Sequence, residues 1–413
     1  MNILYNLLIL IIQLILYVLK FFNKTIYKFV NQRKEIFNDL KSYISKEEKY
    51  IWFHVASLGE YEQGLPVFKK IKSLYKDHKI ILSFFSSSGY EVRKNNSISD
   101  LTIYLPLDSS YNAKKFIDLV NPKIAVFIKY EFWPNFLKYL KKKKVPTYLL
   151  AGVFRENHWF FKTYGFWMKK NLEAFDHFFV QNKSSKNVLK INNFNNCSVM
   201  GDSRFERVNE LPDQNNQIKH INEFKGSKKC IIAGSTWRED EELIIKFINT
   251  YKKDDVCFII APHQIDLKKI KKIKNLIKKK TVLMSELNKI NAIECSVLII
   301  DSIGLLTSLY NYADIAYVGG GMGSTGLHNT LEPAIFKIPV IVGKNFKKFA
   351  EVADLINLKG VIYVENEHSF KNEINILLRN QEIRNKMGQT NYQYIQNNLG
   401  ASEKVISYLK QKK

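Results

Sequence analysis

The feature that most limits the fold is an alternation of short apolar runs with stretches of helical spacing. "YIWFHVAS" is followed by "GLPVFKKIKSLYKD", "KIILSFFSS" by "SGYEVRKNN", "LTIYLPL" by "SYNAKKFIDLV", and "KIAVFIKY" by "FWPNFLKYLKKKK"; "VPTYLLAGV" and "HFFVQN" continue the series. Runs this short and this apolar, separated by amphipathic helices, predict a parallel sheet covered on both faces. Residues 206–228 are polar and turn-rich, and the alternation then restarts with "CIIAGST", "VCFIIAPH", "SVLIID", "DIAYVGGG", "PVIVG" and "VIYVE". A chain of 413 residues is too long for one comfortable core. The reading is therefore α/β, with two Rossmann-like domains facing a central cleft and no visible sequence repeat. The expected divisions are 1–24, 25–210, 211–385 and a helical segment 386–413.

The N-terminus follows another rule. "ILYNLLILIIQLILYVLKFF", residues 3–22, is interrupted only by Lys20. At about 20 residues it is long enough to cross ~30 Å of hydrocarbon. It lacks the basic start and small-residue cleavage site of a signal peptide. Lys20, Lys24, Lys28, Arg33 and Lys34 follow it and predict that the bulk of the protein stays cytoplasmic. The expectation is a membrane-anchor helix that either spans the bilayer or lies in its interface.

Charge narrows the partners. The 63 Lys+Arg against 39 Asp+Glu give a formal net charge of +24. That surplus suits a polyanion: nucleic acid, anionic lipid or a phosphorylated substrate. It also fits a compositional bias, because nearly all of it is lysine in a chain crowded with Ile and Asn. No nucleic-acid-binding motif is present. Cys197, Cys230, Cys257 and Cys295 lie far apart, form no CxxC pair, and read as buried reduced thiols. No metal site is expected.

In open α/β sheets ligands sit outside the carboxyl ends of the strands, so strand-end residues are the candidates. In the first half these are Glu60 after "HVASLG" and Lys129 and Glu131 in "KYEFWPN"; Arg204 in "GDSRFE" lies close to the link. In the second half they are Ser235 and Thr236, then Pro262 and His263, and Asp301, Ser302, Ile303 and Gly304. The segment "YVGGGMGSTGLHNTLEPAIF" adds Gly320, Gly321, Asn329, Thr330, Leu331 and Glu332. Glycines there let backbone N–H groups approach an anion, although the spacing is neither a Walker A nor a dinucleotide fingerprint. Asn329 and Glu332 also have capping-box spacing. Together these strand ends suggest a nucleotide pocket.

"HVASLGE", "EFWPN", "GDSRFE", "GSTWREDEE", "DSIGLLTSLYNYADIAYVGGG" and "GLHNTLEPAIFKIPVIVGKNFKKFAEVADLI" occur in an order that closely resembles the 3-deoxy-D-manno-octulosonic acid (Kdo) transferases of lipopolysaccharide assembly. The resemblance runs over practically the whole chain. It implies a GT-B fold, an acceptor domain at 25–210 and a CMP-sugar donor domain at 211–385. It also implies a metal- and cofactor-independent inverting transfer of Kdo from CMP-Kdo to lipid IV-A at the inner membrane, with anionic lipids and no nucleic acid as partners. Glu60 then matches the general base, and Lys129 and Arg204 the positions that stabilise the transition state. Pro262, His263, Ile303–Leu305 and Asn329–Glu332 match the CMP pocket. The chain departs from the family pattern twice. Lys129 stands where many relatives have an acidic residue, which passes part of that role to Glu131. Pro262 is followed directly by His263, where many relatives carry Pro-Arg-His, so His263 or Lys344 is the candidate replacement cation for the cytidylate phosphate. The alternatives are another nucleotide-sugar transferase with a lipid-linked acceptor and a non-catalytic binder of anionic lipids.

Overall fold

The computed structural model describes residues 2–214, 216–289 and 291–413; Met1 at the start of the expected anchor and Asn215 in the expected link lie outside them. The chain divides into two compact units, residues 1–207 with 399–413, and residues 208–398.

In the first unit the apolar runs become seven parallel strands: β1 Lys49–Val55, β2 His78–Phe84, β3 Leu101–Tyr104, β4 Ile124–Ile128, β5 Thr147–Gly152, β6 His177–Val180 and β7 Cys197–Val199. Their order is β3-β2-β1-β4-β5-β6-β7. β1 pairs with β2 on one side (Ile51 opposite Ile80) and with β4 on the other (Ile51 opposite Ile124). Both faces are buried. Trp52, Phe116, Phe127 and Phe136 pack on one side of the sheet, and Phe53, Phe68, Leu82 and Ile128 on the other. The last helix of the chain, Ala401–Lys412, belongs to this unit: Val405, Ile406 and Leu409 join its core, and the Glu206 carboxylate accepts from the Gly400 and Ser402 amides.

The second unit repeats the plan with β8 Lys229–Thr236, β9 Val256–Pro262, β10 Thr281–Leu283, β11 Val297–Ile299, β12 Ile315–Val318, β13 Val340–Gly343 and β14 Val361–Val364, in the order β10-β11-β9-β8-β12-β13-β14. The α/β reading with two parallel sheets holds. The two edge strands that the sequence did not signal, β7 and β10, have three residues each. All four cysteines are buried and free.

The chain direction around each sheet reverses at one pair of neighbours, β1 and β4 in the first unit and β8 and β12 in the second. Crevices form outside the carboxyl ends of strands at such switch points.

The N-terminal apolar run forms one helix, Asn2–Leu19, of 18 residues. At 1.5 Å per residue that is roughly 27 Å, and among the described residues no helix is long and apolar enough to cross a membrane. Leu4, Leu7, Leu8, Ile11, Leu14, Ile15 and Val18 are all exposed. The helix is nonetheless pinned to the domain by polar groups. The Tyr5 hydroxyl donates to Asp108 (2.9 Å), and the Asn6 side chain accepts from the Ser110 amide (2.9 Å) and from Asn135 (3.1 Å). Asp108 in turn caps the helix Pro134–Lys142, accepting from the Asn135 and Phe136 amides at 3.0 Å each. Burial pushes its carboxyl up to about 7.

Candidate active site

β1 ends at Val55 and the chain turns through Ala56 and Ser57 into the helix Leu58–Leu74, which makes Glu60 the third helical residue. Its carboxylate accepts the Ala56 amide, a bond that fixes the side chain at the mouth of the turn and helps to satisfy the helix start. Glu60 is half-buried. Burial first, then the neighbouring Glu131, raise its proton affinity; the Ala56 amide, His54 and Lys129 oppose them. A carboxyl group whose ionised form is disfavoured is the stronger base once ionised.

β4 delivers the second part of the site. Lys129 directly follows it with φ 58, in the left-handed region where a residue with a side chain is strained. The turn carries Glu131 and Trp133 into the helix that begins at Pro134. Behind Glu131 stands His54, fully buried in β1. A chain of hydrogen bonds connects them. The Trp52 indole donates to Ser83 Oγ (2.8 Å), Ser83 contacts His54 Nδ1 (2.8 Å), and His54 Nε2 meets Glu131 Oε2 (3.0 Å), which also accepts the Trp133 indole (2.9 Å). The Trp133 indole also reaches His54 Nε2 (3.0 Å), and the Ser83 hydroxyl also faces the Phe53 carbonyl (3.4 Å). Glu131 is thus held as an acceptor beside Glu60.

Arg204 is fixed from the same helix. Its Nε donates to Asp202 Oδ2 (2.8 Å), its backbone amide to Asp202 Oδ1 (3.0 Å), and Gln63, one turn after Glu60, donates to Asp202 Oδ1 (3.2 Å). Glu60, Lys129, Glu131 and Arg204 therefore all belong to the carboxyl edge of the first sheet and the helix that leaves it.

In the second unit β8 ends in a bulge, with Ser235 at φ 54 and Thr236 buried. Asp240, in the first turn of the following helix Arg238–Thr250, is fully buried and accepts three bonds: from Tyr317 Oη (2.6 Å), the Gly320 amide (2.8 Å) and the Trp237 amide (2.9 Å). The glycine turn is thereby closed onto the protein itself. The Gly320 amide is occupied by Asp240, and a Cβ on Gly343 would stand 2.3 Å from Gly321 C. Close backbone packing accounts for these glycines.

The polar groups that remain presentable lie around them. Glu332 accepts from Asn329 Nδ2 (3.0 Å) and Thr307 Oγ1 (3.0 Å). The Thr330 and Leu331 side chains are buried, and the Leu331 amide bonds Asn329 Oδ1 (3.1 Å). After β11, Asp301 accepts from the Ser285 amide and hydroxyl, Ile303 is 89% exposed, and Gly304 adopts φ 93 with nothing near it. After β9, Pro262 leads to His263, which stacks on Trp237 (4.7 Å) and on His328 (4.2 Å). The Trp237 indole donates to His328 Nε2 (3.0 Å).

Burial lowers the proton affinity of His263, and burial with His263 beside it brings His328 down to about 4. The stack thus disfavours the charged form of both rings. Lys344 is exposed and follows Gly343, while the next residue, Asn345, bonds the Gly321 carbonyl (2.9 Å). Its position between Gly343 and Asn345 brings this lysine beside the glycine turn. No group of metal-ligating side chains occurs among the described residues. Sequence reasoning missed His54, Asp202, Asp240, Trp237 and His328. All five stand inside quoted motifs: His54 in "HVASLGE", Asp202 in "GDSRFE", Trp237 and Asp240 in "GSTWREDEE", and His328 in "GLHNTLEP".

Residues 30–207 match the family described as 3-deoxy-D-manno-octulosonic-acid transferase (kdotransferase). A 3-deoxy-D-manno-octulosonic acid transferase of Aquifex aeolicus is 28% identical over 370 residues, covering 84% of this chain and 96% of the relative. The chain is similar to the Kdo transferases over most of its length, and it is a glycosyltransferase. A bifunctional glycosyltransferase/methyltransferase of Fusobacterium nucleatum is also 28% identical, over 360 residues and 83% of this chain; the chain spans about half of that relative, 54% of its length. Among solved structures, a UDP-GlcNAc 2-epimerase of Neisseria meningitidis bound to UDP-GlcNAc superposes with a TM-score of 0.61 at 13% identity, over 88% of this chain and 100% of the other. That likeness concerns the GT-B-like fold alone.

Proposed function

We propose that the chain transfers Kdo from CMP-Kdo to lipid IV-A at a membrane surface, with inversion at the anomeric carbon. The observation that carries this reading is Glu60, a half-buried carboxylate at the end of a switch-point strand whose proton affinity is raised by burial and by Glu131. Such a group accepts the proton of an acceptor hydroxyl as its oxygen bonds to the anomeric carbon. The bond from that carbon to the cytidylate phosphate breaks at the same time, and its electron pair leaves with CMP. Proton transfer of this kind is worth about 10²–10⁴-fold. Lys129 and Arg204, the latter braced by Asp202, bring positive charge to the first unit's edge. In the second unit the Asn329–Glu332 pair, the open backbone at Ile303–Leu305 and the Trp237–His263–His328 stack suit a nucleotide, and Lys344 suits its phosphate. The exposed apolar face of the helix Asn2–Leu19, followed by lysines, supports a position on the cytoplasmic face of the inner membrane, with the helix lying in the interface.

The test is incubation of the purified chain with lipid IV-A and freshly generated CMP-Kdo, followed by the mass of the product. A gain of one or more Kdo residues is expected. Transfer from a UDP-sugar with none from CMP-Kdo would move the chain to another nucleotide-sugar specificity.

A further inference from the structure

The first unit has a second chemically distinctive place, away from the Glu60 edge. An open hollow of about 580 Å³ lies between the start of the N-terminal helix and the helices Pro134–Lys142 and Phe166–Leu172. Its walls combine Lys138, Lys141 and Lys170 with Ile3, Phe166 and Trp167. Lys138 and Lys141 are three residues apart and share one helix face; Lys170 comes from the other helix. Lys141 is engaged by Glu173 at 3.1 Å, whereas among the described residues Lys138 and Lys170 have no carboxylate partner.

The rim is apolar and exposed: Phe166 is 67% accessible and Ile3 87%, with Trp159 and Tyr164 also in solvent. The rim is not loosely attached. Tyr5 packs against Trp167 (5.6 Å) while its hydroxyl holds Asp108, and Trp159 lies 6.3 Å from Trp167. Unpaired lysines beneath exposed aromatic rings are the composition of a membrane-interface belt.

We propose that this hollow seats the phosphate headgroup of an anionic bilayer phospholipid between Lys138 and Lys170, with Phe166 and Ile3 in the acyl region beside it. Charge complementarity selects an anion. Continuity of the apolar rim with the exposed face of the N-terminal helix selects a lipid over a free phosphate, which would use the lysines and leave Phe166 and Ile3 in water. The inference rests on the membrane reading of that helix and adds to it a headgroup-selective contact separate from the transfer site.

The full chain is sedimented with vesicles of neutral phosphatidylcholine, alone or with a phosphatidylglycerol fraction. Three proteins are compared: wild type, Lys138→Gln with Lys170→Gln, and a control with the same charge change at the exposed Lys268 and Lys271. Wild type is expected to bind the anionic vesicles more tightly. The Lys138/Lys170 pair should lose most of that preference, about tenfold in partitioning, and keep its binding to neutral vesicles; the control pair should keep both. Phe166→Ala should weaken binding to both vesicle types. Equal losses in the two lysine pairs, or no loss in either, overturn the headgroup site and leave the membrane reading standing. Displacement from anionic vesicles by millimolar inorganic phosphate at constant ionic strength, in wild type but not in the Lys138/Lys170 pair, overturns the choice of a lipid. Failure of wild type to bind any vesicle removes the membrane reading itself, and the proposal with it.

Discussion

The two sheets follow one plan and differ in what stands at the break in it. At the first, between β1 and β4, the chain places ionisable groups: Glu60, Lys129 and Glu131, with His54 behind them. At the second, between β8 and β12, it places backbone turns and neutral rings, and the one carboxylate buried there, Asp240, spends its acceptor capacity inside the protein. One edge is electrostatically poised, and the other is rigid. The contrast implies a division of labour, with proton transfer dependent on the first unit and nucleotide binding on the second.

The sharpest way to break that division is Glu60→Gln. The amide oxygen of glutamine can still accept the Ala56 amide, so the helix start survives, while the base is lost. Transfer is expected to fall about 10²–10⁴-fold, with CMP affinity measured by calorimetry unchanged. A variant with near-normal turnover removes Glu60 from the base role, and one that loses CMP binding breaks the separation of tasks. In the wild type, the raised proton affinity of Glu60 places the acid limb of kcat/KM above the usual carboxylate range. The base acts when ionised, so activity disappears as pH falls through that value.

The counterpart in the second unit is Asp240→Ala. It strands the Tyr317 hydroxyl and the Gly320 amide away from water and leaves the part-buried Trp237 amide without its partner. Each buried polar group left unsatisfied costs about 1–3 kcal/mol, which should appear as a lowered denaturation midpoint together with weaker CMP binding. If stability falls while CMP affinity in the surviving folded fraction is normal, the glycine turn has no part in the nucleotide site.

How much of this was legible in the sequence follows from the range of each interaction. The strands longer than three residues and most helices were readable because a buried parallel strand must be nearly continuous in apolar residues. Glu60 and Glu131 were readable because they stand directly after such strands. What failed to show was anything requiring two distant segments. His54 looks like one more residue of "YIWFHV" until Ser83 and Glu131 are placed on its two ring nitrogens. Asp240 looks like one of several acids at a helix start until Gly320 arrives from 80 residues away. The glycine run reads as an anion cradle, and the fold adds a second reason for it, a close backbone crossing of Gly321 against Gly343 and Gly319 against Ser235. The stacking of His263 on Trp237 and His328 is likewise invisible in one dimension.

His54 allows a finer cut within the first unit. In His54→Gln the side-chain amide can still donate to Glu131, whereas the shorter asparagine cannot reach it. The glutamine variant should retain most activity. The asparagine variant should lose roughly tenfold in kcat, about what one charged hydrogen bond is worth, with the acid limb of its pH profile displaced. Equal behaviour of the two would make His54 a packing residue.

The smallest expected effect tests the neutral rings of the second unit. Burial disfavours the charged forms of both His263 and His328. A cytidylate phosphate close to His263 favours its protonated form, so binding must take up part of a proton. CMP affinity should then rise as pH is lowered from 8 to 6. The rise should be a few-fold, because a full tenfold gain would require the phosphate to favour the protonated ring by about 1.4 kcal/mol with the ring fully protonated on binding. The sign follows from the neutral resting ring: an imidazole with low proton affinity when the site is empty gains most when an anion arrives. His263→Gln should flatten the dependence, and Lys344→Gln should lower affinity at every pH while leaving the slope. If the slope survives His263→Gln and vanishes with Lys344→Gln, the phosphate faces the far side of the glycine turn, and the stack around Trp237 serves the fold rather than the nucleotide.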